Sequence, residues 1–149
     1  MPVLEPGTAF LEWAKKRGDI MAMVGGNQSP RIHPVILPQS SLLPAIVYQI
    51  VSTTSDGHLR GIGALAHSRL RIRCYAANRS DAFTLSEFIR HPLVFEGGRR
   101  PWGELFINGV SIESGPFDDF DLPRDASDEW RLYIVTDYLV SWRQPRTYN

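Results

Sequence analysis

Ser68-Arg69-Leu70-Arg71-Ile72-Arg73-Cys74-Tyr75-Ala76 changes character at every step. On an extended chain, Leu70, Ile72 and Cys74 fall on one side and Arg69, Arg71, Arg73 and Tyr75 on the other. That period predicts a strand with one face on a core and a second face rich in guanidinium groups. A second strand is expected just upstream, in Pro-Ala-Ile-Val-Tyr-Gln-Ile-Val-Ser-Thr-Thr (44–54), where β-branched residues dominate. The segment between the two holds three glycines and little periodicity, and loops of about a dozen residues usually carry function. A loop, functional or disordered, is therefore expected there.

Helices are expected on both sides of this pair. Thr8–Arg17 puts Phe10, Leu11, Trp13 and Ala14 on one stripe, with Thr8 as N-cap and Gly18 as stop. A short helix over Asp19–Val24 should follow, ended by Gly25-Gly26. The prolines at 30, 34, 38 and 44 make the next stretch an edge strand or extended arm. Downstream, Ser80 is a fitting cap for a helix whose apolar face is Ala82, Leu85, Phe88 and Ile89. Pro92 should end it at His91.

Asn108-Gly109 lies between Leu105-Phe106-Ile107 and Val110-Ser111-Ile112, the pattern of a two-residue hairpin. Ser114–Glu129 reads as an acidic loop. Trp130–Trp142 reads as a long final strand, with Trp130, Leu132, Ile134, Tyr138, Val140 and Trp142 on one face and Tyr133, Val135 and Leu139 on the other. The expected fold is a single α+β domain over residues 1–149. It consists of a mainly antiparallel sheet of about four strands plus a hairpin, with helices packed on one face.

With 149 residues, 43% of them hydrophobic, the chain can bury a core. Its 16 basic and 16 acidic residues cancel, so nothing draws the whole molecule toward nucleic acid or membrane. The lone Cys74 cannot form an intrachain disulfide, which fits a reducing compartment. No apolar run is long enough to span a bilayer. Lys15, Lys16 and Arg17 follow the first apolar residues instead of preceding them, unlike a secretion signal, so folding in a cytosol is expected.

Catalytic and metal templates find no match in the sequence. The histidines at 33, 58, 67 and 91 lack ligand spacing, and no C-x-x-C, G-x-S-x-G or phosphate-loop pattern occurs. Asp118, Asp119 and Asp121 are interleaved with Phe117, Phe120 and Leu122, which does not suit a calcium loop. We expect no catalytic residue, no metal and no cofactor. The alternative is a small α+β enzyme or ligand-binding domain whose site follows no known template; His33, Tyr48, Arg71, Arg73 and Asp137 could converge in it.

The charge distribution carries more signal than the total. Eight arginines and three acids lie between His58 and Arg100, whereas Glu113–Glu129 holds seven acids and one arginine. Solvated faces would explain this. The alternative is a pair of complementary edges that meet between copies. On that reading the interface residues are Arg69, Arg71, Arg73, Arg99 and Arg100 against Asp118, Asp119 and Asp121. Asp56, His58 and Arg60 would add loop contacts.

The order of elements resembles the tail-completion (tail-terminator) family of long-tailed bacteriophages. Val24-Gly25-Gly26 closes the helical start. Arg31-Ile32-His33-Pro34 is similar to the family's R-I-Y-P, and Leu43-Pro44-Ala45-Ile46-Val47-Tyr48 to its L-P-A-hydrophobic-V-Y strand. Leu70–Ala76, the helix from Asp81-Ala82 and the strand Tyr138–Trp142 complete the likeness, which covers most of the chain. It departs from the pattern at Pro92, at Arg99-Arg100-Pro101-Trp102 and over Ser114–Glu129. The resemblance implies a virion protein made in the host cytoplasm. It implies a ring, commonly of six copies, at the head-proximal end of the tail. Its partners would be further copies of itself, the tail tube protein, the head–tail connector and, in passing, genome DNA in the lumen. A head–tail stopper or adaptor, or a minor tail protein, is the alternative within virions.

Overall fold

The computed structural model describes residues 5–26, 28–55, 65–96, 99–123 and 130–144. Two helices, α1 (Pro6–Lys15) and α2 (Gly18–Val24), precede a three-residue strand β1 (Ile32–Pro34). Then come β2 (Ala45–Ser55), β3 (Leu65–Tyr75) and helix α3 (Arg79–Phe95). The chain ends with β4 (Arg100–Trp102), β5 (Leu105–Asp121) and β6 (Arg131–Arg143).

The strands form one six-stranded sheet in the order β1-β2-β3-β6-β5-β4. It is mixed and curls into a half-barrel. β1 runs parallel to β2, and every other pairing is antiparallel. This corrects the expected four-stranded antiparallel sheet with a separate hairpin. β1 and β4 are too short to show any period. The α+β class itself stands.

The hairpin also lies elsewhere. β5 continues straight through Asn108-Gly109, where its register on β6 slips by one residue, so the dipeptide marks a bulge. The two-residue turn is Gly103-Glu104, because Trp102 pairs with Leu105. Gly103 has φ +61, a conformation such turns demand. The acidic segment is likewise not a loop as far as Asp121. It is the second half of β5, pairing with Val135 down to Arg131 after a slip between Ser114 and Phe117.

Helix ends differ from expectation by a few residues. Glu5, not Thr8, caps α1: its carboxylate accepts from the N–H groups of Gly7 and Thr8, both at 2.7 Å. Asn78, not Ser80, caps α3 by accepting from Asp81 N–H. Pro92 does not stop α3, which runs on to Phe95. Leu93, buried one residue further on, keeps that last turn packed on the core.

All three helices cover one face of the sheet. Phe10, Ile20, Val24, Leu85 and Ile89 pack there against Ile46, Tyr48, Leu70, Ile72, Cys74, Tyr138 and Trp142. Phe10, Trp13 and Trp102 form an aromatic knot, with ring centroids 5.9–6.5 Å apart. Arg31 ties this layer together by donating to the carbonyls of Pro44 and Met23.

The other face is bare at one end and strapped at the other. Beyond β1 the chain reverses in a three-residue turn, with Ile36 N–H donating to Pro34 C=O and Val35 at φ +66. It then lays Leu37 and Leu43 over Ala45, Val47, Tyr75, Tyr133 and Val135.

Candidate subunit interface

Alternation in β3 sends Arg69, Arg71 and Arg73 to the bare face, as expected. They meet Asp137 of β6, which stands opposite Arg71 in the register. Asp137 is fully buried, and its two oxygens accept from Arg69 Nε at 2.7 Å and from Arg71 Nε and Nη2 at 2.8 and 3.0 Å. Burial opposes ionisation of this carboxyl. The hydrogen bonds from Arg71 and Arg69 outweigh that and hold it below its ordinary range. Arg73 takes a different partner, Gln49, and lies over the Tyr133 ring at 5.6 Å.

The acidic half of β5 divides between the two faces. Asp119 and Asp121 lie on the same face as the arginine row, at its strapped end, whereas Asp118 pairs with Ile134 and shares the helix side. Asp121 accepts from the Tyr75 hydroxyl at 2.8 Å and lies 4.0 Å from Arg131. Burial, and then this bond, push the Tyr75 hydroxyl pKa upward. Asp118 is taken by Arg79 at 2.9 Å. Arg73, Tyr75, Asp121 and Arg131 also line an open cavity of about 280 Å³ under the turn at Val35 and Ile36.

Arg99 and Arg100 sit apart from this system, Arg99 just before β4 and Arg100 as its first residue. Arg100 and Arg17 both reach the Glu96 carboxylate, at 3.2 and 3.3 Å. Asp56, His58 and Arg60, with most of the expected contact loop, lie outside the described residues.

So Arg69, Arg71 and Arg73 do stand together, and Asp119 and Asp121 share their face. The cationic row and the acids are, however, largely satisfied within one subunit. The residues named for a possible reaction centre are split: Arg71 and Asp137 bond, but Tyr48 sits in the core on the helix side. Sequence spacing had no means of pairing Asp137 with Arg69, which is 68 residues away. It also missed Arg131, whose side chain is only 11% exposed.

The sheet edges are the second feature of this surface. β1 covers β2 only at Ile46–Tyr48, so among the described residues Gln49–Ser55 pairs on one side alone. β4 covers β5 only at Leu105–Ile107, so Asn108–Asp121 is open in the same sense. Among the described residues, rows of N–H and C=O groups without a ladder partner are therefore presented on the two outer flanks of the sheet.

No group of His, Cys, Asp and Glu among the described residues could hold a metal ion, and no described helix is long and apolar enough to cross a membrane. No protein-family model matches the chain, and no curated protein matches it in sequence.

Proposed function

We propose that this chain is a structural virion protein, a tail-completion or tail-terminator subunit. It assembles as a ring at the head-proximal end of a long phage tail, ends tube growth and joins the tail to the head connector. The motifs that resemble the family carry the name. The single structural observation behind the ring is the open sheet edge on each side of the subunit. An interface made by two different patches of identical copies is head-to-tail, and it closes into a ring when its rotation permits. A subunit that bonds most of its charges internally can offer those edges without the repulsion a bare arginine row would bring.

In this reading the chain makes and breaks no covalent bond. Its partners are further copies of itself, the tube protein below and the connector above, and its place is the virion.

Native mass spectrometry of the purified chain, with and without tail tubes, tests the proposal. The expected result is one closed oligomer, either alone or seated on the tube end. A monomer under both conditions overturns it. A different fixed stoichiometry moves the chain to another head–tail or minor tail part.

A further inference from the structure

The registers of β2, β3, β6 and β5 place both open edges on one scale. Reading straight across the sheet, Gln49, Arg71, Asp137 and Ser114 lie on one level. Ile50, Leu70, Tyr138 and Ile112 form the next, and Ser52, Arg69, Leu139 and Ser111 the one after. The levels of Thr53 with Val110 and of Thr54 with Gly109 follow. The open part of β2 and the stretch Gly109–Ser114 of β5 therefore cover the same height, each with one extra residue on the way, Val51 in β2 and Glu113 in β5.

They also stop at the same height. β1 ends at Pro34, opposite Tyr48, a level that continues through Ile72 to Thr136. On β5 that level falls in the slip between Ser114 and Phe117, which contains Gly115 and Pro116. β5 bulges again at the height where a neighbour's β1 would stand in the way.

Direction matches as well. Three successive antiparallel pairings make β5 run opposite to β2. A rotation about an axis along the strands preserves that sense, so β5 of one copy meets β2 of the next as an antiparallel pair. Paired at that level about an axis along the strands, successive copies add no rise, which a closed ring needs besides a rotation that closes.

Side-chain chemistry agrees level by level. Ile50 faces the helix side like Ile112, and Thr53 faces it like Val110. Ile50, Val110 and Ile112 are half-buried residues at the margin of the main core. On the bare face, Ser52 would stand beside Ser111 and Gln49 beside Ser114, with no charge opposing charge.

Resting on the ring proposed above, we infer that the subunits join by strand addition, β2 Gln49–Thr54 of one copy pairing antiparallel with β5 Gly109–Ser114 of the next, so that one continuous sheet circles the ring. The occupant of each open edge is a second copy of this chain.

The test uses Ser52 and Ser111, both exposed. In the full chain, the double variant Ser52→Cys/Ser111→Cys with a short bifunctional thiol reagent should give a covalent ladder up to the ring's copy number. Neither single variant should cross-link, and Cys74 is buried and will not compete. A second pair of variants guards against chance contact. Ser52→Glu/Ser111→Glu should weaken association about fivefold per contact, and Ser52→Lys/Ser111→Glu should restore it. Dimers from Ser52→Cys alone would mean β2 pairs with itself, which overturns the inference. Closed oligomers without the ladder overturn this interface and leave the ring standing. A monomer at every concentration and on tail tubes ends both.

Discussion

Replacing Asp137 by Asn keeps the size of the side chain and removes the charge that Arg69 and Arg71 share. Two guanidinium groups, each about a third exposed, would then face each other without a counter-ion. We expect a loss of roughly 2–3 kcal/mol in chemical denaturation, below the cost of stranding a fully buried charge. Wild-type stability on acidification should fall in two windows. Burial lowers the pKa of His33 from 6.5, so the unfolded chain takes up its proton first and stability drops as pH falls through that value. Asp137 is also depressed, so its contribution is intact above the ordinary carboxyl pKa of 3.8 and disappears as pH falls through its lower folded value. His33→Gln should remove the first window and leave the second, as read from denaturation midpoints across pH. At this scale the sequence told which way side chains point, since period 2 is local. It did not tell what they touch, because Asp137 reaches the arginines only after β6 has come alongside β3.

Two glycines of β5 separate what a local pattern can and cannot reveal. Asn108-Gly109 looks like a hairpin, yet nothing lies within 4 Å of a Cβ placed on Gly109. Gly109→Ala should therefore be tolerated and even stabilise slightly, by up to about 0.5 kcal/mol, since alanine restricts the unfolded chain. A turn needing positive φ at Gly109 would be damaged by the same change, so thermal melting distinguishes the two descriptions. Gly115 is the opposite case: φ is +91, and a Cβ would come within 2.6 Å of the Val135 carbonyl oxygen. Gly115→Ala should cost about 2 kcal/mol or more in the same measurement. The long strands, α1 and α3 were legible because each repeats its period over several turns or pleats, and the seven-residue α2 because Gly25-Gly26 ends it. β1, β4 and the passage of β5 through the acidic segment were not. They exist through their neighbours' ladders, and nothing in a run of prolines or aspartates announces a strand.

For the whole molecule, an interface of neutral strand edges and an interface of opposed charges respond differently to salt. Screening shortens from about 14 Å at 0.05 M to about 4 Å at 0.5 M. If the copies join through β2 and β5, the association midpoint should shift by less than about twofold over that range, as followed by light scattering. A steep loss would bring the arginine row and the β5 acids back as the contact. The charge asymmetry was visible in the sequence, but its meaning was not, because pairing within one subunit can be seen only once the sheet is assembled. The aromatic knot has an optical consequence. Trp13, Trp102 and Trp142 are buried, whereas Trp130 is 63% exposed. Fluorescence of the native protein should thus divide into a blue-shifted population that iodide cannot reach and a red-shifted one that it quenches. Trp130→Phe should leave an emission that iodide barely dims, turning the three shielded indoles into an intrinsic gauge of unfolding.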